Sequence, residues 1–295
     1  MLRALLLSVI AASPLLAADG TPAKVLLFTR SQAYEHAVIK PAPDGGPSLV
    51  ERTLATLGQE NRFTVVHSKD GRLFTAERLA EFDCIAFFTS GDLTKEGGDK
   101  NPPMSAEGKQ ALFDAVDAGK GFIGFHSASD SFHAASGAHS YVVDAKPDPY
   151  SFLLGGEFIV HGKQQKTRLL TVDTTFPGIA GFTDAIELQE EWYSLKQFPK
   201  DLHVLQVLDT STMEGNMYQR GNYPITWIHP YGKGRVFYTA MGHREDVWAN
   251  PIFQQLIVGG IDYALGRVTV DDKPNLDTAA PKAHEMPPAP EPKAK

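Results

Sequence analysis

Short apolar runs recur along this chain, each closed by polar residues, and the stretches between them carry helical spacing. Lys24–Thr29 (KVLLFT), Phe63–His67 (FTVVH), Cys84–Thr89 (CIAFFT) and Gly121–Phe125 (GFIGF) read as buried strands. Ser48–Leu57, Thr75–Glu81 and Ser105–Ala118 read as helices, the last with Ser105 placed to cap its N-terminus. Strands alternating with helices at this spacing predict a parallel sheet with helices on both faces, a doubly wound α/β sandwich. Further on, Lys166–Val172, His203–Leu208, Ile225–His229 and Arg235–Met241 look like additional strands in a less regular order. Tyr231–Arg235 reads as a hairpin turn, and Ile252–Leu265 as a closing helix. Ser127–Ser151, rich in Ser, Ala, Asp and His, has no such periodicity and reads as a long functional loop.

The two ends differ from this middle. Residues 1–18 (MLRALLLSVIAASPLLAA) place one Arg before an apolar run and small residues after it, the layout of a secretory signal peptide. The run is broken by Ser13 and Pro14 and is short for a bilayer span, so no stable membrane insertion is expected after cleavage. A secreted or periplasmic location follows as an expectation. Residues 271–295, dominated by Pro, Ala, Lys and Glu, read as a disordered, solvated tail. Residues 19–270, without repeat or long linker, read as one domain.

Composition narrows the function. The 295 residues carry 28 Lys+Arg against 35 Asp+Glu, a net charge of -7, so a nucleic-acid partner is not expected. The one cysteine, Cys84, opens an apolar strand and reads as core, which excludes an intramolecular disulfide framework and a thiolate metal cluster.

In open α/β sheets ligands bind beyond the carboxyl ends of the strands. That rule brings Arg30–His36, Ser90–Lys95 and His126–His133 to one edge. Arg30, His36, Ser127 and Asp130 are therefore candidate substrate contacts. Aromatic faces cover the C–H faces of sugar rings, which adds Tyr34, Trp192, Tyr193 and above all Trp248, just after GHRED. Glu191 and Tyr193 alternate with Trp192 and so point the same way in an extended segment, with Glu190 on the other side.

The motifs GKGFIGFHSASD (119–130), YSFLLGGEFIVHG (150–162), EEWYSL (190–195) and PITWIHPYGKGRVFYTAMGH (224–243), after an opening FTRSQAYEH (28–36), resemble the ThuA-like, or trehalose-utilisation, family. The resemblance runs over about 24–266. It implies a class I glutamine-amidotransferase-like, flavodoxin-like fold and a link to sugar utilisation. In amidotransferases of that superfamily a cysteine follows the fourth strand on a sharp turn. Here His126 stands in its place, so cysteine glutaminase activity is not expected. Ser127 lacks the flanking glycines of a nucleophile elbow.

Ten histidines occur in the chain, and His126, His133, His161 and His243 fall in or just beside the family's motifs after the first strand. Together with Glu191 they admit two chemistries. They can hold a divalent, Zn-like metal, with His126, His161 and Glu191 as the candidate ligands. They can equally act as acid and base on a sugar, with His126, Glu191, Tyr193 and His243 as the candidate catalytic groups. Gly232-Lys233-Gly234 lacks phosphate-loop spacing, so neither nucleotide nor flavin is expected. The expectation is an exported, carbohydrate-directed hydrolase, lyase or isomerase; the alternative is a non-catalytic carbohydrate-binding protein. The oligomeric state is left open.

Overall fold

The computed structural model describes residues 20–183 and 185–290. The proposed signal peptide, residues 1–18, lies outside the described residues. The first half follows the alternation in the sequence: β1 (Ala23–Phe28), α1 (Leu49–Asn61), β2 (Phe63–Ser68), α2 (Ala76–Leu79), β3 (Cys84–Phe87), α3 (Ala106–Asp117) and β4 (Gly121–Phe125). Local chemistry sets the helix starts. Ser48 and Glu51 form a capping box at α1, satisfying two backbone N–H groups reciprocally. Ser105 accepts from the Gly108 N–H at α3. Cys84 is fully buried in β3.

The second half holds α4 (Pro149–Leu154), β5 (Glu157–His161), β6 (Gln165–Thr171), β7 (Ala185–Glu190), β8 (Tyr193–Lys196), β9 (His203–Leu208), β10 (Tyr223–Tyr231), β11 (Gly234–Thr239), α5 (Glu245–Trp248), α6 (Pro251–Ala264) and α7 (Leu276–Ala279). Nine strands form one sheet in the order β2-β1-β3-β4-β11-β10-β9-β6-β7. The strands from β2 to β11 in that order are mutually parallel. From β11 outward every pairing is antiparallel, so the sheet is mixed rather than wholly parallel. The cause is the β10–β11 hairpin: its two-residue turn starts at Gly232, whose φ of +57° suits glycine and reverses the chain at once. The strands β5 and β8 pair separately in a small antiparallel ribbon that the sequence periodicity does not reveal.

Part of the stretch expected as a solvated tail, within residues 271–290, packs on the domain, and residues 291–295 lie outside the described residues. Asn275 brackets Val204, its Oδ1 accepting from the Val204 N–H at 2.6 Å and its Nδ2 donating to the Val204 carbonyl at 3.1 Å. Leu276, Ala280 and Ala283 are buried. The Ala283 carbonyl accepts a hydrogen bond from the Arg220 guanidinium. Side chain–backbone bonds and a few small apolar contacts hold this segment where an apolar run was missing. Among the described residues no helix is long and apolar enough to cross a membrane.

Candidate functional site

Three loops meet at the carboxyl edge of the parallel strands. Ser31 bridges to Ser90, and Gly91 to Ser131, tying the segments after β1, β3 and β4 together. Onto this floor four side chains converge. His36 comes from the loop after β1, His126 from the residue just after β4, Glu191 from the link between β7 and β8, and His243 from the turn after β11. One donor atom of each lies within 4.8 Å of all the others.

His126 makes the turn with φ at +41°, a conformation that disfavours a side chain and persists because its surroundings hold it. Its Nδ1 lies 2.8 Å from the Ala240 carbonyl, which can only accept, so Nδ1 carries the hydrogen. The Nε2 lone pair then faces Glu191 Oε2 at 3.5 Å and has no hydrogen-bond partner. His243 Nδ1 is 2.9 Å from the same oxygen but out of hydrogen-bonding alignment. His36 Nε2 is 3.4 Å from the Tyr193 hydroxyl, and its Nδ1 is also without a partner. Three buried ring nitrogens gathered around one carboxylate are a nitrogen- and oxygen-rich donor set that fits a borderline divalent cation such as Zn²⁺.

Electrostatics agree with that chemistry. Burial and the neighbouring imidazoles of His126 and His243 push the His36 pKa down, which keeps the ring neutral. Burial likewise lowers His126, against the pull of Glu191. Burial would raise Glu191, yet the adjacent His126 and His243 imidazoles hold it well below the usual carboxylate range. His243 is raised, because Glu191 outweighs the burial that would lower it.

The surroundings position this cluster. Glu190, on the opposite side of its strand from Glu191, accepts from the Gly242 and His243 N–H groups at 3.3 and 2.6 Å. Gly242 has φ of +120°, a backbone state reserved for glycine, and this turn aims His243 inward. Tyr193 lays its ring against His126 at 4.1 Å between centroids. His161 stands at the rim: its Nδ1 is 3.2 Å from Glu191 Oε1, and its side chain is 41% exposed. The structure thus groups His36 and His243, rather than His161, with His126 and Glu191.

Several expected substrate contacts are structural. Arg30 is fully buried and donates to the carbonyls of Leu93, Lys95 and Asn101, so its guanidinium is held within the scaffold. Trp248 is fully buried; its indole N–H donates to the Gly242 carbonyl at 2.7 Å, bracing the turn that carries His243. Trp192 is buried too and donates to Gln165. Ser127 is buried with no access from the cleft. Tyr34, by contrast, is 63% exposed and sits edge-on to His36 at 4.9 Å.

Asp130 lies beside the cluster in a cleft of about 550 Å³, also lined by Gln32, Asp92, Lys109, His133 and Asp148. His133 is clamped there between Asp130 at 2.7 Å and Glu157 at 3.5 Å, and Lys196 approaches Glu157 from behind at 3.3 Å. Sequence reasoning assigned Glu190 a side of the strand but no role, and Lys196 neither. The alternation along EEWYSLK carries the only signal for them, and it does not say what lies opposite each face.

The profile of the ThuA family, described as trehalose utilisation, matches residues 24–264. Among curated proteins none matches. The structure is similar to a ThuA-like protein of Bacteroides uniformis, with a TM-score of 0.61 and 20% identity over 86% of this chain and 95% of that one. It is also similar to a ThuA-like protein of Parabacteroides merdae, with a TM-score of 0.54 and 19% identity over 88% of this chain and 97% of the other. At these identities the likeness bears on the fold, which is flavodoxin-like α/β. With most of its length matched by the family profile, the chain belongs to the ThuA, or trehalose-utilisation, family.

Proposed function

We propose that this is an exported protein of carbohydrate utilisation whose His36–His126–His243–Glu191 cluster holds a divalent metal and carries out hydrolase, lyase or isomerase chemistry on a sugar. The observation that carries this reading is the convergence of three imidazoles, each with a buried ring nitrogen that has no hydrogen-bond partner, on the Glu191 carboxylate. A charge-neutral imidazole facing a carboxylate lone pair to lone pair is unfavourable unless a cation or a proton lies between them. When bound there, a Zn-like ion supplies Lewis acidity and activates water near neutral pH.

The chain's own groups account for the rest. Ala240 fixes the His126 tautomer, so that Nε2 faces the site. The Tyr193 phenol, raised well above its ordinary pKa by burial and nearby carboxylates, stays protonated and can donate to a substrate oxygen. His161, half open to solvent against Glu191, is placed to exchange protons between the site and water. Export is supported by the signal-peptide layout of residues 1–18. The acidic balance and the polar cleft favour a small carbohydrate over a nucleic acid as partner.

The test is the metal content of the mature protein, purified without chelator or His-tag, beside His126→Ala. About one ion per chain in the wild type and near none in the variant is expected. No metal in either form overturns the metal reading. A loaded protein that binds sugar but yields no product over long incubation turns the assignment to carbohydrate binding.

A further inference from the structure

The geometry points to the cleft beside the cluster as a subsite for the hydroxyl groups of an uncharged saccharide, with the Lys109–Asp148 pair setting selectivity against phosphorylated and acidic sugars. This rests on the carbohydrate reading above. The cleft's volume of about 550 Å³ is in the range of small-molecule sites. It and the cluster meet at the turn after β4, which gives His126 to one and Asp130 to the other.

Lys109 lines the cleft, but its ammonium is held by both Asp148 oxygens, at 2.8 and 2.6 Å. The imidazole of His133 is shared between Asp130 and Glu157. Arg30, close by in sequence to Gln32, is fully buried against backbone carbonyls and does not line the cleft. Lys163, on the exposed loop after His161, does not line the cleft.

A phosphate or carboxylate entering here would meet Asp92, Asp130 and Asp148, and each cation in the lining, Lys109 and His133, is already paired with a carboxylate. It would lose hydration with nothing to replace it. Hydroxyl groups suit the same lining. They donate to Asp92 and Asp130 and accept from Gln32 and Lys109, each using both halves of its hydrogen-bonding capacity. Tyr34, exposed beside His36, offers an apolar face at the rim of the cluster.

The experiment is calorimetric titration of the full-length mature protein with glucose, trehalose, glucose 6-phosphate and glucuronate. Wild type is expected to bind a neutral sugar at least tenfold more tightly than either anion. Asp130→Asn should weaken neutral-sugar binding about tenfold. Asp148→Ser keeps a capping oxygen for α4 while freeing the Lys109 charge, and should tighten the anions at least several-fold. Anions binding as tightly as neutral sugars to wild type overturn the proposal. So does binding that neither variant changes, and so does the absence of binding by all four sugars. Metal content measured on the same preparations reports on the cluster separately, so a failed subsite and a failed metal site are told apart.

Discussion

Burial should discharge an imidazole, yet Asp130 and Glu157 outweigh it and push His133 up to about 9. The ordinary unfolded value is about 6.5. A folded pKa above the unfolded one means the stabilisation is fully present below about pH 6.5 and is lost as pH rises through about 9. His133→Gln should therefore cost on the order of 2–3 kcal/mol in urea unfolding at pH 6 and far less at pH 9.5, with Lys196 left to neutralise Glu157. A pH-independent difference would show that the ring matters for packing rather than charge. At this scale the sequence is deceptive in a consistent way. Arg30 and Trp248 stand where a ligand-gripping Arg and a sugar platform belong, and the motif carries no trace of the carbonyls that claim their N–H groups. Glu191 and Tyr193 are more legible, because alternation along an extended segment fixes which residues share a side.

Between elements, the end of β7 grips the turn after β11 through Glu190. Burial raises that carboxyl to about 7, against the backbone N–H groups of His243 and Gly242. Glu190→Ala leaves those two donors without an acceptor and loosens the turn that aims His243. The expected cost is about 1–3 kcal/mol in unfolding, together with a 10- to 100-fold loss of metal affinity in competition with a chromogenic chelator. Unchanged affinity would mean that His243 is held by Trp248 and Gly242 alone. The cap at Ser105 was readable because capping is local chemistry, set within three residues, and the Ser48 capping box follows the same rule. The pairing of β7 with β6, and of β5 with β8, was not readable, since β-partners are chosen by surfaces far apart in sequence.

For the whole molecule, residues 271–285 fasten the antiparallel half of the sheet. Asn275 joins them to Val204, and His203 is bonded to the Lys273 carbonyl at 2.8 Å. Truncation after Val270 removes Leu276, Ala280 and Ala283 from their buried positions. It should lower the unfolding midpoint in urea by an amount equivalent to at least about 2 kcal/mol, from lost apolar burial and backbone bonds. A truncated protein as stable as the full chain would restore the solvated-tail reading.

By itself the sequence determined the parts that depend on near neighbours. Apolar runs punctuated by polar ends set the parallel half of the sheet, capping residues set the helices, and the family's motifs set where His126, Glu191 and His243 fall. The tertiary structure decided what depends on distance in space. It turned the outer sheet antiparallel, packed a Pro- and Ala-rich segment against β9, retired Arg30 and Trp248 into the scaffold, and brought His36 to the cluster. The physical reason is that a side chain's role follows from which donors, acceptors and charges surround it. Those partners lie up to 207 residues away here, as between His36 and His243, whose rings sit 5.1 Å apart.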